Sequence, residues 1–529
     1  MSNNGNFWGR EKKLKTKSEK RKAKEFFNST WISLTNFFRS VGKNLKTFFI
    51  RISRLPKILN RRDKIALVII GVILLGLLGY KFDRDWLSKT KKVPALGGNY
   101  TEVLVGEAKY FNPVLAKSDT DKTIDSLIYS GLTKIDATGQ IAPDLAESWT
   151  ISPDGKTYTF HLRSDAVWHD GVPFTSADVA ATIADINDSN IQSPYFGAWQ
   201  DVDLQTPDAQ TVVFTLKNPY GPFLYNTLVG IIPDHLDPAT ISSSPVGTGP
   251  YKFSKAVSGK NSTISEVDLL VNDDYFGPKP LASKVIFQIA GDENQAKDLF
   301  GSRSTNAVAG LEIKQNNVAN FSFATSRSFG LIFNLKDNRF KDVAVRKNIL
   351  SGNPPAGGTS GFEFSLLTLD KPLAVAQAQS IQNQMAAFSI KVNIDKKTAI
   401  DYENLLEKRQ FQAILYGFDF GYDRDPYPYF DSSQIALPGA DFSGFADKNA
   451  DKLLEDARMT TDPIARNQKY DQFFQIFNDQ AVGVIYPSQT FQMSVKNNVY
   501  GVLALKAFEP WDHLDNFANW YLETKRIKP

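Results

Sequence analysis

Several short segments of residues 99–529 alternate apolar and polar side chains, the pattern of a strand with one buried face. Residues 156–163 (KTYTFHLR) and 211–217 (TVVFTLK) each place an aromatic or aliphatic side chain at every second position. Successive side chains of a strand point to opposite faces, so this period of two predicts two strands that each cover a core on one side.

A different pattern occupies residues 362–418. The runs FEFSLLT, IKVNI and FQAILYGF predict strands, and the intervening AVAQAQSIQNQMAAF and AIDYENLLEKR predict helices. Strands that alternate with helices in this way form parallel sheets with right-handed crossovers. Ligands of such sheets bind beyond the carboxyl ends of the strands, so we expect functional residues directly after FQAILYGF.

Residues 65–80 (IALVIIGVILLGLLGY) carry no charge and are bracketed by Lys64 and Lys81. Sixteen residues is shorter than the roughly 20 of a usual transmembrane helix, but flanking lysines can snorkel, and Tyr80 and Phe82 extend the apolar length. We therefore expect a transmembrane helix over residues 65–82, followed by a tether over 83–98. The competing interpretation is a buried core helix, which is rarely apolar on every face.

Charge is distributed unevenly on the two sides of this segment. Residues 1–64 contain 18 Lys/Arg and 4 Asp/Glu, a net charge of +14, whereas residues 65–529 contain 43 and 53, a net charge of −10. Positively charged flanks stay in the cytoplasm. The sequence therefore predicts a cytoplasmic basic arm, 1–64, and a single-pass chain in the cell membrane whose large C-terminal part is extracellular or periplasmic.

Within the arm, residues 26–55 contain apolar residues at alternating steps of four and three. The stripe consists of Phe27, Trp31, Leu34, Phe38, Val41, Leu45, Phe48, Ile52 and Leu55. Bulky aromatics opposite a basic face favour an amphipathic helix on inner-leaflet lipids over a coiled-coil seam. The basic run EKKLKTKSEKRKAKE is typical of a solvated juxtamembrane segment, so we predict no nucleic-acid partner.

The composition excludes several kinds of chemistry. The chain has no cysteine, so disulfides, thiolate metal sites and cysteine nucleophiles are excluded. His161, His169, His235 and His513 have no metal-ligand spacing, and no motif of a hydrolase, zinc protease or phosphate loop occurs. We expect no enzyme activity, no catalytic residue, no metal site and no cofactor.

Residues 416–430 (YGFDFGYDRDPYPYF), which begin within the last predicted strand, combine aspartates with aromatic side chains. A surface loop does not need the aromatics, and a core would reject the charges. A concave site for a ligand that is partly apolar and partly cationic requires both. The stretch is therefore a candidate binding site for an amine.

Long motifs give the chain a resemblance to a known family. Residues 131–179, beginning GLTKIDATGQIAPDLAESW, resemble the signature region of the family 5 extracellular solute-binding proteins, the oligopeptide, dipeptide and nickel receptors of ABC importers. Further similar motifs follow in the family's order: SPVGTGPYKF (244–253), VNDDYFGPKP (271–280), FGLIFNLKDNRFKDVAVRKNI (329–349), the Asp425-Pro426 pair and the segment 451–487. The resemblance spans roughly residues 100–525.

The resemblance implies an α/β, two-lobed periplasmic-binding-protein-like fold of type II with an extra subdomain, here preceded by a transmembrane helix. Lobe I would comprise residues 99–328 plus 495–529, and lobe II residues 329–494. Lobe II is shorter than the family pattern near residues 350–361. The implied function is binding of peptides in a cleft between the lobes and their delivery to ABC permease subunits.

The resemblance also suggests ligand-binding residues in lobe II. Dipeptide receptors place an amine-binding aspartate three residues before the Asp-Pro pair, where this chain has Tyr422. Asp423 is our first candidate for the amine and Asp419 our second. The alternative is that Asp423 and Asp425 only cap turns and a helix start. Lys371 is the candidate for the peptide carboxylate, or a solvated loop lysine.

In lobe I, the segment VGEAKYFNPV corresponds to a part of the family fold that lines the cleft. It provides Tyr110 and Phe111 as covers for the ligand and Glu107 as a second charged candidate. Two other functions remain open. The chain could be a receptor or scaffold of this fold without transport, or it could bind a nickel chelate or haem.

Overall fold

The computed structural model describes residues 60–528, except 137, 260–262, 353–360 and 504–507. The predicted amphipathic helix over 26–55 and most of the basic arm lie outside this part of the chain, as does most of the predicted shortening near 350–361. The described residues fall into a small unit, 60–92 with 526–528, and a large unit, Val93–Lys525.

The small unit contains a 28-residue helix, α1 (Arg61–Ser88), which includes the predicted apolar helix. Many apolar side chains of α1 lie at its surface; Ile69 and Leu75, for example, are 53% and 71% exposed. In the part of the chain that the structure describes, no helix is both long enough and apolar enough to span a membrane.

Secondary structure in the rest of the chain alternates between strands and helices. The other helices are α2 (Asp119–Ile128), α3 (Ser176–Asn187), α4 (Phe196–Trp199), α5 (Phe223–Asn226), α6 (Pro238–Ile241), α7 (Glu293–Phe300), α8 (Val343–Leu350), α9 (Pro372–Ala386), α10 (Ala399–Glu407), α11 (Tyr427–Phe430), α12 (Lys448–Arg458) and α13 (Pro463–Asp479). The strands are β1 (Lys91–Ala95), β2 (Asn99–Val105), β3 (Thr133–Ile135), β4 (Ile141–Pro143), β5 (Ala146–Ile151), β6 (Thr157–Leu162), β7 (Val202–Asp208), β8 (Thr211–Leu216), β9 (Tyr251–Ser258), β10 (Ile264–Val271), β11 (Lys284–Ala290), β12 (Ala307–Ala309), β13 (Val318–Ala324), β14 (Arg327–Phe333), β15 (Glu363–Leu369), β16 (Lys391–Lys397), β17 (Ala413–Asp419), β18 (Gly483–Ile485), β19 (Thr490–Lys496) and β20 (Glu523–Ile527).

Three sheets organise the large unit. A seven-stranded sheet has the order β13-β19-β12-β2-β11-β10-β9, and a four-stranded antiparallel sheet has the order β5-β6-β8-β7. The two strands predicted from alternation are β6 and β8, which pair with each other. Tyr158 and Phe160 of β6 are fully buried, which confirms the predicted core-facing side of that strand.

The third sheet has five strands in the order β16-β15-β17-β14-β18. Strand β15 pairs in parallel with both β16 and β17, and helices α9 and α10 form the connections. This arrangement confirms the predicted parallel β-α-β-α-β unit. Buried apolar side chains such as Leu366, Ile381 and Leu415 fill the space between the helices and this sheet.

The chain crosses between the seven-stranded and five-stranded sheets at two places, residues 325–326 and 486–489, so the large unit is a two-lobed α/β fold. The predicted lobe limits lie a few residues further along the chain. The two crossings are joined by backbone hydrogen bonds from Thr325 N to Gln489 O, 2.9 Å, and from Gln489 N to Arg327 O, 2.7 Å. Paired crossings of this kind are where hinge motion between lobes is absorbed.

Candidate functional site

A cavity of about 480 Å³ is lined by residues of both lobes. From the lobe of the seven-stranded sheet come side chains of α2 and of the segments around Tyr195 and Tyr225. From the other lobe come Arg458 and the residues that follow β17. The cavity therefore lies beyond the carboxyl end of β17, as the sequence pattern predicts.

The acidic and aromatic stretch after β17 forms one wall. The backbone turns sharply here, with positive φ at Gly421 and at Arg424, +62° and +59°. Asp425 then accepts a hydrogen bond from Tyr427 N at 3.0 Å, at the start of the short helix α11, and forms an ion pair with Arg458 at 2.7 Å. These local bonds direct Phe420, Tyr422 and Asp425 into the cavity.

Asp423, the first candidate for amine binding, is committed to an internal ion pair. Its Oδ1 accepts a hydrogen bond from Arg466 Nε at 2.7 Å, and its Oδ2 accepts one from the Tyr470 hydroxyl at 3.0 Å. The Asp423 side chain is 10% exposed and is not among the cavity-lining residues. Burial raises the pKa of Asp423, and the charge and hydrogen bonds of Arg466 oppose this shift.

Asp419, the second candidate, lines the cavity and is 48% exposed. Its Oδ1 accepts hydrogen bonds from Ser326 Oγ at 2.8 Å and from Gly421 N at 3.1 Å, and its Oδ2 lies 3.4 Å from Arg327 Nε. Part of this carboxylate remains accessible, so Asp419 has the geometry for contact with a cationic ligand and Asp423 does not.

Tyr422 is a rigid part of the wall. Its hydroxyl donates to Asp512 Oδ1 at 2.7 Å and accepts from Trp511 Nε1 at 3.2 Å. Its ring stacks on Tyr225 of the opposite lobe, with the ring centroids 5.8 Å apart. Tyr422 therefore lines the cavity, and a ligand-binding role for it stays a prediction.

The remaining candidates do not line this cavity. Lys371 is exposed at the N-terminus of α9. Phe111 is 3% exposed and packs against Phe253 in the core. Tyr110 is 40% exposed, and Glu107 forms an exposed ion pair with Lys109 at 3.0 Å. The structure thus does not bring the four together with Asp419 and Tyr422.

The structure adds cavity-lining charges that the sequence reading missed, including Lys122, Asp125 and Glu509. Asp125 is 5% exposed, and neither of its oxygens has a hydrogen-bond partner among the residues that the structure describes. The only signal in the sequence is the spacing of Asp121 and Asp125, which places both carboxylates on one face of α2. Glu509 comes from the last part of the chain and has no local signal.

An ion-pair network lies where the two lobes meet. Both terminal nitrogens of Arg327, at the start of β14, donate to the carboxylate of Asp119 in α2 at 2.7 Å. Arg327 also lies 3.4 Å from Glu509 Oε2. Each contact joins Arg327, the first residue of the five-stranded sheet along the chain, to a residue of the lobe that contains the seven-stranded sheet. The network therefore stabilises the two lobes in the relative position seen in this structure.

Glu509 gives this network a pH dependence. Burial, with a further contribution from the charge of Asp419, raises the pKa of Glu509 from near 4.5 to about 8, against the effects of Ser326 and Arg327. Between these two values the folded chain holds a proton that the unfolded chain releases. The free energy of unfolding therefore falls as pH rises from about 5 to 8, by at most about 1.4 kcal/mol per pH unit from this group.

We expect Glu509→Gln to remove this contribution, so that the variant gains stability relative to the wild type as pH rises from 5 to 8.5. Urea unfolding at both pH values measures the difference. The exposed Glu147→Gln is the control and should follow the wild-type profile. Parallel profiles for Glu509→Gln and the wild type would contradict the assignment.

Among the described residues, Asp178, Asp234 and His235 form the one group close enough to hold a metal ion. Asp178 instead accepts backbone hydrogen bonds from Thr175 N at 2.8 Å and from Asp234 N at 3.0 Å. These bonds cap α3 and fix the following loop, so they account for this aspartate without a metal. The group also lies outside the cavity.

Comparison with known proteins shows which family the chain resembles. Residues 140–351 match the family described as bacterial extracellular solute-binding proteins, family 5 Middle. The oligopeptide-binding protein AppA of Bacillus subtilis is 23% identical over 86% of this chain and 97% of its own length. The dipeptide-binding protein of Escherichia coli is 24% identical over 75% of this chain and 90% of its own length.

Among solved structures, NikZ from Campylobacter jejuni in complex with Ni(L-His) is 21% identical. It matches with a TM-score of 0.66 over 80% of this chain and 99% of its own. At this identity the likeness shows the two-lobed fold alone. Together with the relatives that match along most of their length, it leads to one conclusion: the chain is similar to the family 5 extracellular solute-binding proteins, and residues 140–351 match the model of that family.

Proposed function

We propose that this chain is the substrate-binding protein of an ABC importer and that it binds short peptides in the cavity between its lobes. The observation that supports this proposal is the composition of the cavity. Aromatic walls from Tyr220, Tyr225 and Trp511 surround charged side chains contributed by both lobes. A ligand that touches both walls would favour the closed arrangement of the lobes, which a permease in the membrane then recognises.

The charge of the cavity suits an amine. Four acidic side chains line it, those of Asp125, Asp419, Asp425 and Glu509, together with Lys122 and Arg458. Burial raises the pKa of Asp125 and of Glu509, and a cationic ligand would favour the ionised forms of both. Ligand ammonium groups form charge-assisted hydrogen bonds with carboxylates, and the surrounding aromatic rings limit competition from water. Peptides supply an ammonium group together with backbone donors and acceptors, and two relatives are described as oligopeptide- and dipeptide-binding proteins.

We further propose that residues 65–82 anchor the chain in the cell membrane, with the binding lobes outside and the basic arm on inner-leaflet lipids. The uncharged run between Lys64 and Lys81, the surface position of its apolar side chains in α1 and the net charge of +14 before it support this proposal. Recovery of the chain with membranes, lost when residues 65–82 are deleted, is the expected result. Equal recovery of both forms would refute the anchor.

The peptide assignment is tested by mass spectrometry of the small molecules that the full chain retains through gentle purification and releases on denaturation. We expect a set of short peptides whose lengths reflect the space in the cavity. Recovery of a nickel chelate or haem would instead indicate one of those ligands. A chain that carries nothing, and whose melting temperature no peptide raises, would favour a receptor or scaffold without transport.

A further inference from the structure

Asp125 is a buried carboxylate without a partner. It lies in the second half of α2, is 5% exposed, and receives no hydrogen bond at either oxygen from the described residues. Burial raises the pKa of Asp125 well above its ordinary value, and the negative charge of Asp121, one turn earlier, raises it further. An unpaired carboxylate in such a place destabilises the folded chain, so a function must account for it.

A hydrogen-bond donor without a partner lines the same cavity. Trp199 is 1% exposed, and its Nε1 finds no acceptor among the described residues. The hydroxyl of Tyr129, which also lines the cavity, is not a free donor, because it already donates to Phe111 O at 2.9 Å. The cavity thus offers one carboxylate acceptor and one indole donor that the protein itself does not use.

The other carboxylates of the cavity are already paired. Asp425 holds Arg458 at 2.7 Å, Ser326 Oγ lies within hydrogen-bond distance of both Asp419 and Glu509, and both of these residues lie 3.4 Å from Arg327. The ammonium of Lys122 lies over the Trp511 ring, 4.3 Å from its centroid. Among the described residues, Asp125 is therefore the cavity-lining acidic group that no cation or donor satisfies, and a ligand cation would compensate the charge that burial otherwise disfavours.

We propose that Asp125 binds a primary ammonium group of the ligand and that Trp199 Nε1 donates to an adjoining carbonyl oxygen. Tyr195, which is partly exposed, flanks this subsite, and its ring moves to admit the ammonium because both Asp125 oxygens are shielded from solvent. This subsite deepens the proposed function and rests on it. A peptide can supply the ammonium from its N-terminus or from a lysine side chain.

The test uses isothermal titration of the full chain and of Asp125→Asn with three probes: trialanine, N-acetyl-trialanine and N-acetyl-Ala-Lys-Ala. We expect Asp125→Asn to weaken trialanine binding at least about 10-fold, because it removes a charge-assisted hydrogen bond. If the N-terminus is the bound group, acetylation weakens binding to the wild type by a similar factor and has little further effect in the variant. If a lysine is bound, N-acetyl-Ala-Lys-Ala retains an affinity that depends on Asp125.

Asp441→Asn serves as the matched control, since Asp441 is a fully buried carboxylate outside the cavity, and it should leave probe binding unchanged. Melting temperature separates a binding role from a structural one. Asp125→Asn should melt at or above the wild-type temperature, because it replaces an unpaired buried carboxyl group. A clear loss of stability together with unchanged affinity would assign Asp125 to the fold and overturn the proposal.

The outcomes also separate this subsite from the proposed function. If the wild type binds the probes and Asp125→Asn binds them equally well, the subsite is refuted while peptide binding stands. If the wild type binds none of these peptides, peptide binding is refuted for them, and n-butylammonium then tests the subsite alone. Binding of n-butylammonium that is lost in Asp125→Asn supports the subsite, and absence of binding overturns it.

Discussion

Replacing Arg466 with alanine should lower the free energy of unfolding by about 3–5 kcal/mol, the cost of breaking a buried ion pair from one side. The Arg466 side chain is 3% exposed, and its Nε lies 2.7 Å from Asp423 Oδ1. Its Nη1 also donates to Thr460 O at 2.7 Å. The substitution leaves the Asp423 carboxylate buried with only the Tyr470 hydroxyl, and urea unfolding at neutral pH measures the loss.

Arg339→Ala provides the comparison, because Arg339 is 47% exposed and pairs with Asp337 at 3.3 Å on the surface. Exposed pairs contribute about 0–1 kcal/mol, so this variant should unfold almost as the wild type does. Similar losses in the two variants would contradict a structural role for the Asp423–Arg466 pair. The expected contrast also explains why Asp423 has its charge in an aromatic setting: Asp423 neutralises a buried arginine.

The architecture of the five-stranded sheet was predictable because the pattern of apolar residues within each short segment is enough to predict that segment's strand or helix. In residues 363–419 each strand is a short apolar run and each helix has its own period, so the order of elements specifies a parallel unit. The end of β17 is also where the cavity lies. The general rule about strand ends therefore located this cavity, although it did not select the side chains that line it.

The choice among the aspartates depends on contacts between distant parts of the chain. Asp423 and Arg466 are 43 positions apart, and Asp419 meets Ser326 across 93 positions. Sequence spacing contains no record of such pairs, so the sequence alone favours, as the first candidate for ligand binding, an aspartate that forms an internal ion pair. The same limit applies to Phe111. Its segment is expected to line the cleft, but the Phe111 side chain packs in the hydrophobic core.

The cavity is built from segments that are far apart in sequence, and α2 is central among them. This helix contributes Lys122, Asp125 and Ser126 to the lining and Asp119 to the contact with Arg327. Its position therefore determines both the shape of the cavity and one contact between the lobes. The segment that fixes its C-terminal end is the motif SPVGTGPYKF, residues 244–253, in which Gly249 N donates to Ile128 O at 2.8 Å.

Gly247→Ala tests this dependence. A Cβ at residue 247 would overlap the carbonyl oxygen of Ile128, the last residue of α2, so the backbone must shift to accept it. We expect a loss of about 3 kcal/mol in the free energy of unfolding, the upper range for overpacking, and weaker peptide binding in the fraction that remains folded. Gly197→Ala is the control, because a Cβ there has no neighbour within 4 Å, and it should change stability by less than about 0.5 kcal/mol. Urea unfolding and calorimetric titration of the same samples separate the two effects. If Gly247→Ala loses stability but keeps its peptide affinity, the motif supports the fold without positioning the cavity. If the variant loses both stability and affinity, the close approach of this loop to α2 holds the Asp125 side of the cavity in place.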